Sequence, residues 1–332
     1  MNQAGTTTID EAGSTRGRVA RARFASIAQQ HGALIALILV CIFATIRYET
    51  FLTPENLLNV LRQNSMLGLV ALGMTFVILT RGIDLSVGSL IAVAGVVAAN
   101  LAGRGLLVAL LAGVVVTATL GLINGVVIAK ARIQPFIVTL AMMIAARGLA
   151  LAVTGEESVR VGRDASGFTW LGRGYLGPLP IPVVILFVAF AIGWLVLNHT
   201  RFGRHVYSIG DNEEAARLMG LNVGRVTIGV YTLSGVLAGL AGVILASRLG
   251  AGQPVAAVGW ELDAIAAVVV GGTLLTGGQG GVISTLVGVV LLGIIFNIFN
   301  LEGQISPWWQ LVLRGVILLA VVIVQNRLSK RK

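Results

Sequence analysis

Three carboxylates interrupt otherwise apolar sequence: Asp84 in Thr80 to Ser89 (TRGIDLSVGS), and Glu261 with Asp263 in Trp260 to Gly272 (WELDAIAAVVVGG). Separated carboxylates can work as general acid and base in a hydrolase. No nucleophile, histidine base or metal-ligand spacing accompanies them here, because His31, His199 and His205 all fall near segment ends. Cys41 is the only cysteine, which excludes an intrachain disulfide and a cysteine-based metal framework. The expectation is therefore no catalytic residue, no metal and no cofactor held by this chain. A charge at the centre of a membrane helix costs about 2.5–3.5 kcal/mol, so such acids should cap a helix, pair, or face water. Gly82, Asp84, Ser86, Ser89, Glu261 and Asp263 are the resulting pore or gate candidates. Gly82 and Gly88 permit irregular backbone and close approach, Asp84 can cap the following helix, and Arg248 can pair with the acids near 261. The plainer alternative for the first stretch is a capped interfacial turn with Arg81 screening Asp84.

These residues must be positioned by membrane helices. The 332 residues have a mean hydropathy of +0.91, are 56% hydrophobic and only 11% charged. Repeated apolar runs of nearly span length make the chain an all-α polytopic membrane protein. The net charge of +10 could suggest nucleic acid, but the basic residues are spread along segment ends and not clustered with aromatics, so no nucleic-acid partner is expected. Apolar runs and their breakers predict ten transmembrane segments: 33–50, 63–80, 84–103, 106–129, 134–154, 181–198, 226–247, 260–276, 279–300 and 306–326. Residues 1–32 form a polar tail with Arg16, Arg18, Arg21 and Arg23, and 327–332 a basic C-terminal tail. Placing both tails in the cytoplasm puts 15 of the 24 Lys and Arg residues on the inner side, seven on the outer side and Arg147 and Arg314 within segments. The 43 glycines suit closely packed helices, as Gly239 to Gly242 and Gly288 to Gly293 suggest. Asn124, Asn297 and Asn300 read as interhelical hydrogen-bonding residues.

The loops at 155–180 (outer) and 199–225 (inner) are the long interruptions. The inner one contains Arg201 to Arg225 (RFGRHVYSIGDNEEAARLMGLNVGR). Gly210 allows a tight turn, Asp211 or Asn212 can cap a helix, and Glu213 and Glu214 place negative charge at its positive end. Gly220 can end it. A helix of about nine residues, roughly 13 Å long, results: too short and too polar to cross a bilayer. Its apolar members Ala215, Ala216, Leu218 and Met219 need burial, either against a separate motor or back on the chain's own bundle. Arg217 lies among them.

An offset of 172 carries segments 2–5 onto segments 7–10, with Gly121 on Gly293 and Pro135 on Pro307. The corresponding turns would lie on opposite faces, which makes the repeat inverted and suits alternating access. The outer counterpart of the arm is Phe51 to Gln63 (FLTPENLLNVLRQ), which reads as a second short amphipathic helix started by Pro54. Pro54, Glu55 and Asn56 are the candidate contacts for a soluble partner outside.

Leu275 to Gln279 (LTGGQ) looks like the LSGGQ signature of ATP-binding-cassette (ABC) ATPases, yet it is a turn between apolar segments, and no G-x-x-x-x-G-K-[ST] phosphate loop exists in the chain. The chain is not the ATPase. Gly73 to Ser89 (GMTFVILTRGIDLSVGS), His199 to Asn222 (HTRFGRHVYSIGDNEEAARLMGLN) and Glu261 to Thr273 (ELDAIAAVVVGGT) together resemble the permease subunits of ABC sugar importers of the ribose, xylose and galactose class. The resemblance covers nearly the whole chain after residue 33. It implies a type II-like permease fold. It also implies that the arm residues Gly210, Asp211, Asn212, Glu213, Glu214, Ala215, Ala216, Arg217, Leu218 and Gly220 couple to a cytoplasmic ATPase, which binds the ATP. A periplasmic sugar-binding protein and a second permease subunit are implied as further partners, in the bacterial inner membrane. Val153 to Val159 (VTGEESV), Gly271 to Gly278 (GGTLLTGG) and Ser306 to Trp309 (SPWW) look most like a permease of the galactofuranose importer. Arg81 departs from the family, where a small residue is common. The rival reading is a stand-alone secondary transporter or channel, which would need ion-coupling acids buried in mid-helix.

Overall fold

The computed structural model describes residues 32–162, 165–303 and 306–329. The expected N-terminal tail and the last three residues lie outside these. The helices are α1 (Gly32–Arg47), α2 (Pro54–Leu79), α3 (Val87–Leu101), α4 (Leu106–Ala131), α5 (Pro135–Thr154), α6 (Ser166–Arg173), α7 (Ile181–His199), α8 (Arg201–Asp211), α9 (Glu213–Leu218), α10 (Val223–Leu249), α11 (Trp260–Val270), α12 (Val282–Glu302) and α13 (Pro307–Ser329). Every expected apolar segment contains a helix. Proline opens α2, α5 and α13, where its missing N–H costs nothing. Seven of the described helices are long and apolar enough to cross a membrane.

Two expectations change. Phe51 to Gln63 is not a separate helix: Thr53 caps α2 and Pro54 starts it, but the helix runs without a break to Leu79. The apolar side of that stretch packs with α1 and α12 around Phe51, Val60 and Ile294, so nothing interrupts it. Segment 8 is not a full helical span. α11 has 11 residues, about 16 Å at 1.5 Å per residue against a hydrocarbon core of about 30 Å. Gly271 and Gly272 end it, and residues 271–281 continue without helix as a glycine-rich strand of backbone.

The core is made by α2, α3 and α10, while α4 and α5 turn much of their surface outward. α10 packs on α2, α3 and α4, and α2 packs on α7, α10, α11 and α12. α10 approaches α4 closely. A Cβ on Gly121 would lie 2.4 Å from the Tyr231 carbonyl oxygen, and one on Gly235 2.4 Å from that of Thr117, so these helices meet backbone to backbone. The loop at 155–180 folds back as a short antiparallel pair: β1 (Val159–Arg160) with β4 (Ala251–Gly252), which follows α10. Within the same loop β2 (Tyr175–Leu176) pairs with β3 (Leu179–Pro180).

Candidate functional site

The arm consists of two helices. α8 is amphipathic and buries Gly203, Val206, Ile209 and Gly210. Its Phe202 ring lies 6.4 Å from that of Phe76 of α2. Gly210 is therefore no turn residue. It is glycine because α8 crosses the end of α2, where a Cβ would sit 1.8 Å from the Leu79 carbonyl oxygen and 2.5 Å from the Gly278 nitrogen. Asp211 is the last residue of α8, and the cap of α9 is Asn212, whose Oδ1 accepts from the Ala215 N–H at 3.0 Å. α9 is six residues long, with Glu213 and Glu214 in its first turn and Arg217 paired to Glu213 at 2.6 Å. Gly220 follows with φ +82, the left-handed conformation that closes the helix. Ala216 is fully buried, whereas Leu218 is 84% and Met219 70% exposed. The arm is thus anchored by α8 and one alanine, and it presents two bare apolar side chains.

Three segments meet beneath it. The Gly278 N–H donates to Leu79 O at 3.1 Å, and Tyr207 of α8 donates its hydroxyl to Gly280 O at 2.8 Å. Burial raises the Tyr207 phenol above its ordinary range, so it stays a neutral donor. LTGGQ is a tight loop in this junction, with Gly277 and Gly278 both at positive φ. Arg81 also belongs here. It donates from Nε to Gly210 O at 2.8 Å and from an Nη to Asp211 O. It points at α8, so it does not screen Asp84.

Asp84 is fully buried a few residues further on. One carboxylate oxygen accepts from the Ser86 N–H at 3.0 Å and the Ser86 hydroxyl at 2.6 Å, the other from the Ser234 hydroxyl at 2.8 Å. Asn124 donates to the Ser86 oxygen at 3.1 Å, and Thr139 donates to Ile83 O at 3.1 Å. Asp84 is not the N-cap of α3, a position taken by Ser86. Gly82 is close-packed, since a Cβ there would lie 2.4 Å from the Tyr231 hydroxyl. Ser89 is 1% exposed. Gly82, Asp84, Ser86 and Ser89 therefore face protein and not an open passage. These bonds satisfy the Asp84 carboxylate inside the bundle and hold the loop at 80–86 among α4, α5 and α10, while the buried Asn124 Oδ1 and the Tyr231 hydroxyl beside them make no hydrogen bond among the described residues.

Glu261 and Asp263 open α11 in its first turn. Asp263 is 9% exposed and Glu261 more so. Glu261 lies against α3, where a Cβ on Gly88 would be 2.4 Å from its Oε2. Its facing cation is Arg147 of α5, not Arg248. The Arg147 Nη1 donates to Pro254 O and Ala256 O at 2.6 and 2.8 Å, bracing the loop before α11. Arg248 instead stands near Arg62. The sequence showed both arginines but not these neighbours, which depend on how helices far apart in the chain pack.

Of the outer candidates, Pro54 and Glu55 are exposed. Asn56 is engaged internally: it donates to Phe51 O at 2.9 Å and exchanges amide hydrogen bonds of 3.1 and 2.8 Å with Asn297 of α12. The asparagines expected to join helices do so, Asn300 accepting from Gln310 at 3.3 Å. Among the described residues no group of three or more His, Cys, Asp or Glu could hold a metal ion.

A polytopic helical bundle with a short helix carried outside its spans is the build of a transport permease, and the family comparison agrees. Residues 56–322 match the family model described as branched-chain amino acid transport system / permease component, and the chain belongs to that family. It is 45% identical over 303 residues to the ribose import permease protein RbsC of Escherichia coli K12, covering 90% of this chain and 94% of the relative. It is 43% identical over 311 residues to RbsC of Bacillus subtilis 168, covering 93% and 96%. The D-allose transport system permease protein AlsC of E. coli K12 is 36% identical over 311 residues, covering 92% and 94%. No solved structure matches the chain.

Proposed function

We propose that this chain is the sugar-translocating permease subunit of an ABC importer in the bacterial inner membrane, driven by a separate cytoplasmic ATPase and supplied by a periplasmic sugar-binding protein. α9 is the seat of the ATPase. The observation that carries this is the exposure of Leu218 and Met219 on a short capped helix whose base is locked to α2 and the 276–280 loop. Bare apolar side chains on a rigidly held element are the anchors a partner's groove requires. The relatives named for ribose make ribose the first sugar to test, and galactofuranose, suggested by the sequence motifs, the second.

In this reading the chain does no chemistry on its cargo. The arm lies in the cytoplasm with both termini, which follows the distribution of Lys and Arg. A second permease subunit completes the passage, and Glu261 is the retained pore candidate because it is the acid of its group that is not buried. An inverted repeat is supported by the bounds of the helices: Pro135 and Pro307, 172 residues apart, open α5 and α13. Packing has the same character, since α10 of the second half packs on α3 and α4 while α2 of the first packs on α11 and α12. Glu55, Glu261, Asp263 and Glu302 lie in first turns or at helix ends, and the fully buried Asp84 sits in the loop before α3, bound by serine hydroxyls, so among the described residues no acid is buried in mid-helix as the rival reading requires.

The test is uptake of labelled ribose into membrane vesicles holding the chain with its ATPase and binding protein, comparing wild type with Glu213→Arg/Glu214→Arg. ATP-dependent uptake, lost in the variant while the protein still inserts, is the expected result. Uptake without the ATPase that ignores the substitutions would make the chain a secondary carrier.

A further inference from the structure

Arg81 has φ +62, a left-handed conformation that costs a side-chain-bearing residue about 1–3 kcal/mol. The turn closes α2, with the Arg81 and Gly82 N–H groups donating to Ile78 O and Val77 O at 2.9 Å each, and the guanidinium adds two bonds to Gly210 O and Asp211 O. Those carbonyls end α8, where no helical N–H follows and the helix dipole is negative. Arg81 thus caps α8 from another element, its planar fork reaching two acceptors at once. α9 begins two residues after Asp211.

In the other direction the chain turns inward at once. Gly82 lies against the Tyr231 hydroxyl, Ile83 accepts from Thr139, and Asp84 is bound by Ser86 and Ser234. Three residues reach at most about 11 Å, so little slack separates the clamp from the buried cluster. Bonds therefore run without a break from the end of α8, two residues before α9, to Arg81, and through the loop at 80–86 to α4, α5 and α10. The junction's other bonds tie α8 and α2 to the 276–280 loop, and α8 also packs on α10, where a Cβ on Gly229 would lie 3.0 Å from the Phe202 ring, without a hydrogen bond to the loop at 80–86.

We propose that Arg81 is a positioning residue that carries movement of the arm into the buried loop around Asp84, and so couples ATP hydrolysis to opening of the bundle. The proposal rests on α9 being the ATPase seat. A path between two sites needs direct evidence of coupling. The experiment is hydrogen exchange on the assembled transporter in lipid nanodiscs, with and without ATP and the binding protein, for wild type and Arg81→Ala. In wild type, ATP should alter exchange both in peptides covering 201–222 and in those covering 80–86. In Arg81→Ala the change at 201–222 should persist and that at 80–86 should vanish. Sugar moved per ATP hydrolysed should fall by on the order of tenfold, the worth of losing charge-assisted hydrogen bonds. Arg81→Lys, which keeps the charge but reaches one acceptor, should lie between, and is read alone if Arg81→Ala does not insert. Unchanged exchange at 80–86 in the variants overturns the proposal. No change at 201–222 in wild type overturns the docking reading beneath it.

Discussion

Ser234 of α10 donates a 2.8 Å hydrogen bond to Asp84, 150 residues earlier in the chain, and so fastens the loop before α3 to a helix of the other half. Asp84→Ala removes the acceptor for two serine hydroxyls and one N–H and should destabilise the protein by about 1–3 kcal/mol. Asp84→Asn keeps one acceptor and offers a donor to Ser234, so its loss should be smaller. Thermal unfolding in detergent checks the order wild type, Asn, Ala. Equal melting of the alanine variant and wild type would deny the network its structural role.

Gly210→Ala should insert normally but lose most uptake, because the new methyl would stand 1.8 Å from a backbone oxygen that cannot move without α2. Gly148→Ala in α5, where nothing lies within 4 Å, is the matched control and should leave uptake intact. Vesicle uptake normalised to inserted protein separates the two.

Leu218→Asp and Met219→Asp should alter folding stability by less than about 0.5 kcal/mol, since both side chains already face outward. Their effect should fall on ATPase association, measured as co-purification or as dissociation from the reconstituted chain. Asn212→Ala should weaken the same association through a loosened α9, the cap being worth about 1 kcal/mol.

Asn56 and Asn297 form a reciprocal amide pair, so a double-mutant cycle to alanine should show coupling of about 0.6 kcal/mol, the average for polar pairs between membrane helices. Asn56→Ala should leave binding-protein docking unchanged when Glu55→Arg at the exposed end of α2 weakens it. A docking defect confined to Asn56→Ala would return that residue to the surface role the sequence suggested.

The helices were legible because lipid imposes long apolar runs, and prolines and glycines marked their ends at Pro54, Pro135 and Pro307. The arm's stop at Gly220 and a cap at Asp211 or Asn212 followed from local chemistry, and the structure chose Asn212 because Asp211 still belongs to α8. What could not be read was long-range. Gly210 looked like a turn because a glycine needed for clearance from Leu79 has the same letter as one needed for a bend. Arg81 and Asp84 looked like a pair because they are three residues apart, but the left-handed turn at Arg81 sends one side chain to α8 and the other into the bundle. α11 looked like a span because its apolar sequence continues past Val270 into Gly271 and Gly272, and composition alone does not say where helical hydrogen bonding stops.

The bare Leu218 and Met219 also bear on the life of the subunit before assembly. On the proposal that α9 seats the ATPase in the cytoplasm, a copy inserted without that partner displays sticky side chains on an element that cannot fold them away, because the rest of the arm is locked. On the same proposal surplus permease would be a target for chaperones and membrane proteases, and the supply of the ATPase would set how much of this chain survives.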